Sequence, residues 1–389
     1  LNPQQPDAHL NLGNALGQLG RHEEALSSHE RAIQLKPDYL QAYVNAGNSL
    51  RELRRLDEAL SFYDQASRLH PDFVDAHNNA GIVLREMKRF PAARERLETA
   101  LALAPSDARI LCHLGHVFHD MNDLPNAAAY YEKALNSRQD FEAAIIGLAQ
   151  VQLELPHFDE AESLYEKAII SCGSKEAGFL QSLLHLLQGD YQKGWVAYEK
   201  RWDTRNEKLE EVYRACPLIE STDQLAGKRV LLWSEQGFGD VIQFCRYARL
   251  VEESGARVIL ATRPPLVDLL SSLSSSIRVV SEDEPVDFEI DYQCPLMSLP
   301  ALFGTNLETI PNRIPYLTAP KTVLEKWQAH LGPKTRSRIG LIWAGSPTHK
   351  GDAKRSITVS EILALLNTGE EFHCLQKDLA ENDQNALVD

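Results

Sequence analysis

The stretch LQAYVNAGNSLRELRRLDEALSFYDQASRLHP (Leu40–Pro71) decides the first half of this chain. Four of its residues recur at a step of 34. Gly47 belongs to the series Gly13, Gly47, Gly81 and Gly115, and Ala59 to Ala25, Ala59, Ala93, Ala127 and Ala161. Ala66 belongs to Ala32, Ala66, Ala100, Ala134 and Ala168, and Pro71 to Pro37, Pro71 and Pro105. Three phased small-residue positions and a phased proline do not coincide by chance. The proline is lost in the last two repeats, at Gln139 and Gly173.

A period of 34 with this pattern resembles the tetratricopeptide repeat, a pair of antiparallel helices. The physical reading agrees. Glycine and alanine stand where the two helices of a pair must approach closely, and proline closes the second helix. About five repeats are expected over residues 1–175, stacked into an α solenoid with a concave groove.

A polar series runs two residues before the phased glycine: Asn11, Asn45 and Asn79, then His113, then Gly147. It reads either as the solvated face of the first helix or as an asparagine ladder. A side-chain amide both donates and accepts, so a ladder can pair with an extended peptide backbone whatever its sequence. Over these three repeats the pattern is similar to the superhelix of O-linked N-acetylglucosamine transferase, which implies a protein or peptide ligand in the groove. His113, His116 and His119 share one predicted helix. Their spacing matches groove-facing positions, and no cysteine or carboxylate completes a metal-ligand set, so no metal is expected.

Residues 176–227 are expected to form a capping helical hairpin and a linker. Trp195, Tyr198 and Trp202 fall at i, i+3 and i+7, which predicts one aromatic helix face packed against the next domain. Gly194 stands one residue out of step with the phased alanine.

From Lys228 the period changes. Strands are predicted at 229–234, 257–262, 277–281 and 288–293, with helices at 240–253 and 264–273 between them. A second α/β unit comes next, with a helix at 322–331, strands at 338–345 and 371–376, and a helix at 358–366 opened by a Thr358/Glu361 capping box. Continuous apolar runs indicate buried parallel strands.

The turn SEQGFGD (Ser234–Asp240) comes directly after the first of these strands. It is not the dinucleotide fingerprint, because Ile242 stands where the third glycine belongs and the second strand ends in Thr262 and Arg263 rather than an acid. It is not a P-loop, because no GK[ST] comes after it. It does resemble the EQG-LGD-IQF segment of bacterial proteins that join tetratricopeptide repeats to a heptosyltransferase-like glycosyltransferase. The segments GWVAYEKRW, LLWSEQG, PLMSLPALFGT, IPYL, GLIWAGSPTHKGDAKRSI and LQK are similar to that family in the same order, over roughly residues 180–380.

The resemblance implies two Rossmann-like lobes of the GT-B fold: an acceptor lobe at 228–318 and a donor lobe beginning at 319–389. It implies that Asp240 is the base that activates the acceptor hydroxyl, with Glu235, Gln236, Gly237 and Gly239 forming the acceptor turn. Against this, an acid at a helix N-terminus is held ionised, which weakens it as a base, and a capping aspartate in a tight turn is the other reading. In the second lobe, Ser346, Thr348, Lys350, Lys354, Arg355 and Ser356 match the loop that holds donor phosphates, with Lys354 aligned to its lysine. Charge-assisted donors of this kind suit a leaving diphosphate; a solvated basic loop is the alternative. No DxD pair lies beside these loops, in keeping with metal-independent transfer from a nucleotide sugar and no bound cofactor.

Lys plus Arg number 40 against 55 Asp plus Glu, a formal net charge of −15. That argues against a nucleic-acid surface. No apolar run reaches the ~20 residues of a membrane span. Six scattered cysteines without a CxxC pair fit reduced thiols and a cytoplasmic location. The chain opens in mid-repeat at Leu1 and stops in mid-unit at Asp389, so a piece with an incomplete donor lobe is expected. The sequence thus leaves two readings: a glycosyltransferase whose solenoid presents a protein or glycan acceptor, or a non-catalytic repeat scaffold with an inactive or incomplete transferase lobe.

Overall fold

A computed structural model describes residues 4–204, 216–284, 289–345, 356–363, 366, 369–376, 379 and 383. The first half is six antiparallel helix pairs: α1 (Pro6–Gln18) and α2 (His22–Leu35), α3 (Leu40–Glu52) and α4 (Leu56–Leu69), α5 (Val74–Glu86) and α6 (Phe90–Leu103), α7 (Ala108–Asp120) and α8 (Leu124–Ser137), α9 (Glu142–Glu154) and α10 (Phe158–Cys172), α11 (Lys175–Leu187) and α12 (Tyr191–Tyr198). Both alanine series are fully buried from Ala25 and Ala32 to Ala161 and Ala168. Each pair contributes to an apolar core shared with its neighbours, so no pair is stable alone.

The phased glycines are explained by one contact. A Cβ on Gly47 would lie 2.5 Å from the Tyr63 ring, and a Cβ on Gly115 would lie 2.6 Å from the Tyr131 ring. Gly13 meets His29 and Gly81 meets Leu97 in the same way. The bulky residue comes 16 positions later, from the second helix of the pair, and fills the space that the glycine leaves.

The turn inside each pair is also phased. Gly20, Arg54, Lys88 and Asn122 have φ of 73°, 61°, 59° and 61°. They are left-handed caps, and the residue after each donates its N–H back to the helix, as Arg55 does to the Leu50 carbonyl at 2.9 Å.

Two chain segments depart from expectation at the join. Helix α12 ends at Tyr198, and a single turn, α13 (Arg201–Thr204), comes after it. The aromatic stripe is therefore split. Trp195 packs edge-on to Phe244 at 5.5 Å, whereas Trp202 packs against Trp233 at 5.9 Å in a separate cluster. Between the two clusters the Arg201 side chain turns inward onto Glu235.

The α/β unit is a four-stranded parallel sheet of β1 (Arg229–Trp233), β2 (Arg257–Thr262), β3 (Arg278–Ser281) and β4 (Tyr292–Pro295), in the order β3-β2-β1-β4. Val230 and Leu232 face one core, with Tyr198, Phe244 and Leu296. Leu231 and Trp233 face the other, with Ile259, Ala261 and Trp202. Both faces of β1 are thus buried, as its unbroken apolar run requires.

Element bounds differ from the sequence reading where side chains compete for backbone groups. The helix expected at 240–253 is divided into Phe238–Phe244 and Tyr247–Glu253, with a tightened turn where the Ala248 N–H bonds the Cys245 carbonyl. The helix expected at 264–273 is a 3₁₀ turn, Pro264–Leu266, continued by Val267–Leu270; two prolines supply no N–H at its start. The strand expected at 288–293 starts at Tyr292, because the Asp291 carboxylate takes the Arg229 N–H at 2.7 Å.

Beyond the sheet, a helix spans Lys321–Leu331, and β5 (Arg338–Leu341) pairs in parallel with β6 (Glu371–Cys374). Strand β5 stops short of 345 because the Gln376 amide oxygen accepts the Trp343 and Ala344 N–H groups, each at 3.2 Å. The expected capping box is present in part: Glu361 accepts from the Thr358 N–H at 2.9 Å ahead of the helix Val359–Leu363. Among the described residues, no helix is long and apolar enough to cross a membrane.

Candidate functional site

Two places gather the polar residues that the sequence singles out: the face of the first helices in the array, and the end of β1.

Helices α1, α3, α5 and α7 carry Asn11, Asn45, Asn79 and His113 in turn. Three of these side chains reach back to the preceding pair. Asn45 Nδ2 donates to Asn14 Oδ1 at 2.7 Å, Asn79 Nδ2 to Asn48 Oδ1 at 3.5 Å, and His113 Nδ1 meets Asn78 Oδ1 at 2.8 Å. Asn11 is exposed. Asn14 and Asn48, one residue after the phased glycines, escape the sequence reading. They are also 34 apart, and that step is the signal that marks them. With Asn45, His29, Gln41 and Glu52 they line an open cleft of about 480 Å³. His29 is 3% exposed, with Asn14 Oδ1 at 3.2 Å from Nε2 and Ser49 Oγ at 3.3 Å from Nδ1. Burial lowers its pKa to about 4, so the ring is neutral and serves as a hydrogen-bonding group.

A ladder of polar pairs runs along the same first helices. Arg51 meets Glu86 at 2.6 Å, Arg85 meets Asp120 at 2.6 Å and His119 meets Glu154 at 3.0 Å. Each rung joins one repeat to the next. His116 Nδ1 bonds the Tyr131 hydroxyl at 2.7 Å, and burial lowers its pKa to about 3. The sequence reading places no cysteine near the three histidines; the structure sets Cys112 Sγ 3.5 Å from His116 Nε2, one helical turn away. Among the described residues, no group of three or more His, Cys, Asp or Glu is placed to hold a metal ion.

The second place is the crevice beyond the carboxyl ends of β1 and β4. After β1 the chain crosses to β2 on one side, while β4 lies on the other, so the strand order reverses here. Such a reversal opens a crevice in which ligands of α/β sheets bind. The turn Ser234–Asp240 lies there. Glu235 is the anchor: its two oxygens take Arg201 Nη2 at 2.8 Å and Nε at 3.0 Å. Arg201 also donates to Glu199 Oε1 at 2.7 Å and to Ser298 Oγ at 2.7 Å, and Ser298 Oγ donates to Glu199 Oε2 at 2.9 Å. The Glu235 carboxylate is therefore taken up inside the protein by the solenoid's last turn.

The rest of the turn lies nearer solvent. Gln236 is partly buried, whereas Gly237, Phe238 and Gly239 are exposed. Asp240 is partly buried in the first turn of the helix Phe238–Phe244, and one of its oxygens would lie 3.6 Å from a Cβ on Gly237. The Arg263 guanidinium lies 5.4 Å from the Phe238 ring centre.

Of the predicted phosphate loop, Ser346, Thr348, Lys350, Lys354 and Arg355 lie outside the described residues. Ser356 is described, and its Oγ accepts the Gly345 N–H at 3.1 Å.

Residues 6–39 match one model of the tetratricopeptide repeat, and residues 38–106 and 72–140 match another. The chain therefore carries tetratricopeptide repeats, a class of helical repeat that binds protein partners. Among solved structures it is similar to the APC/C heterotetramer Cut9–Hcn1, with 18% identity and a TM-score of 0.48, covering 54% of this chain and 42% of that one. It is also similar to PilF of Pseudomonas aeruginosa, with 21% identity and a TM-score of 0.44, covering 51% and 97% of the two chains. A thermophilic tetratricopeptide-repeat protein of Thermus thermophilus has 22% identity and a TM-score of 0.42, covering 46% and 99%. No curated protein matches the chain.

Proposed function

We propose that this chain is a protein-binding repeat scaffold whose groove takes an extended peptide segment. The observation that carries this reading is the amide-lined cleft over the first two repeats, where Asn14, Asn45 and Asn48 converge on about 480 Å³ of open space. Asn45 gives one N–H to Asn14 and accepts from Gln41, which leaves its second N–H for a peptide carbonyl. Binding of an unbiased peptide library to the full chain, compared with Asn45→Ala and Asn48→Ala, tests the reading. Weaker recovery by both variants supports it, and recovery unchanged by either substitution removes the cleft from recognition.

A second reading extends the first: the scaffold presents its ligand to a glycosyltransferase unit. Its support is the position of Asp240 in a glycine turn at the strand-order reversal, together with the family resemblance of residues 180–380. In that reading Asp240 accepts the acceptor proton, Gln236, Gly237 and Gly239 shape the acceptor turn, and Glu235 fixes it through Arg201. The segment Ser346–Ser356 holds the leaving diphosphate of a nucleotide sugar. A panel of nucleotide sugars incubated with the protein in its longest natural form decides this. Turnover lost in Asp240→Ala supports the assignment. Equal turnover in both removes Asp240 from the chemistry, and absence of turnover and of nucleotide binding leaves the scaffold reading alone.

A further inference from the structure

Arginines on this chain are mostly matched by acids, as Arg51 is by Glu86, Arg201 by Glu235 and Arg338 by Glu371. Three of those that are not so matched line one cleft. Arg246 and Arg249, one helical turn apart at the helix Tyr247–Glu253, face the loop that carries Arg313 and Tyr316 across a cavity of about 170 Å³. Among the described residues, none of the three stands in an ion pair.

Two of these guanidiniums are held rigidly by neutral acceptors. Arg246 gives Nε to the Gln243 carbonyl at 2.8 Å and Nη1 to the Pro311 carbonyl at 2.9 Å, and its Cζ lies 4.3 Å from the Tyr316 ring centre. Tyr316 is itself fixed by a 3.1 Å bond from its hydroxyl to the Ile242 carbonyl. Arg249 holds the Leu273 carbonyl through Nε at 2.7 Å and through Nη2. Among the described residues, Arg246 keeps its Nη2 group and Arg249 its Nη1 group for another acceptor. Carbonyl partners position these side chains without cancelling their charge. One carboxylate, Glu253, shares the lining and is exposed, so three cations meet one anion in a chain whose overall charge is −15.

We propose that this cleft is a binding site for a compact phosphorylated ligand, whose phosphate group bridges Arg246, Arg249 and Arg313. Planar guanidiniums with whole NH₂ groups available match the oxygens of a phosphate. The ligand is compact because the cavity is small, and the net charge of −15 disfavours an extended polyanion. The proposal does not rest on the transfer reading, since no residue of the Ser234–Asp240 turn lines the cleft.

The test is calorimetric titration of the full chain at low salt with inorganic phosphate and, separately, with glucose 6-phosphate. Saturable binding that weakens about tenfold in Arg313→Ala, and comparably in Arg246→Lys, is the expected result. Arg313 is exposed, so its truncation leaves the fold intact. Tighter binding of glucose 6-phosphate than of phosphate identifies a phosphorylated small molecule as the source, and the reverse identifies the free ion. No saturation at millimolar concentrations of either ligand, or equal affinity in the parent chain and both variants, overturns the proposal. Binding that persists in Asp240→Ala separates it from any failure of the transfer reading.

Discussion

Arg201 and Glu235 meet in a two-point ion pair, Nη2 to Oε1 at 2.8 Å and Nε to Oε2 at 3.0 Å, with side chains 1% and 0% exposed. The pair ties the last turn of the repeat half to the turn at the end of β1. Removing one partner strands the other charge in the interior, which typically costs about 3–5 kcal/mol. Arg201→Ala is therefore expected to lower the urea midpoint markedly. Glu235→Gln, which keeps an acceptor, is expected to lower it less. Equal midpoints for both variants and the parent chain would show that water reaches the site.

The Gly47–Tyr63 contact makes a second prediction. On an exposed helix, Gly→Ala stabilises by roughly 0.5–1 kcal/mol. Here the added methyl would stand 2.5 Å from a fully buried tyrosine ring, and overpacking of this kind costs about 1–3 kcal/mol. Gly47→Ala is expected to lower Tm. In a Tyr63→Ala background, which removes the ring, the further cost of Gly47→Ala is expected to vanish; an undiminished cost there would show that the penalty does not lie in the ring.

Lys88 behaves in the opposite way. It is exposed and held at φ 59°, a left-handed conformation that costs a side-chain-bearing residue about 1–2 kcal/mol. Its phased counterpart Gly20 has no such penalty. Lys88→Gly is expected to raise stability by about 1 kcal/mol, offset in part by the greater freedom of glycine in the unfolded chain, read as a higher urea midpoint.

Acid should loosen the repeat half through its buried histidines. Burial lowers the pKa of His29 to about 4 and that of His116 to about 3, from an ordinary 6.5. Between those values the unfolded chain binds more protons than the folded one, so stability falls as pH drops from about 6.5 toward 4. Above that window these rings contribute no pH dependence. Urea midpoints measured across the window should slope steeply in the parent chain. They should slope less steeply in His116→Gln, which keeps a polar partner for Tyr131 without a titrating ring, while His29 and His113, the latter also lowered to about 4 by burial, still titrate.

The repeat half was legible because each of its small residues answers a local need that recurs with the period. Gly47 and Ala59 are explained by close helix approach, and that approach repeats wherever the sequence does. The bulky residue opposite each glycine was harder to see, because His29, Tyr63, Leu97 and Tyr131 share a position and not a chemistry. The left-handed caps were hidden for the same reason: Arg54 and Lys88 carry no mark of the conformation that Gly20 advertises, and Asn122, a residue that tolerates it, is alone among the three in hinting at it.

By itself the sequence determined the helix pairs, the change to a parallel sheet at Lys228 and the placing of a glycine turn after β1, since each stems from periodicity or local backbone chemistry. Tertiary structure decided which charges cancel. It drew Arg201 across the join onto Glu235, 34 residues away, and it left Arg246, Arg249 and Arg313 facing one cleft from two segments more than 60 residues apart. Such pairings depend on where the chain is carried by packing, and outside the repeats an ion pair or an open arginine has no period by which it could be read in advance.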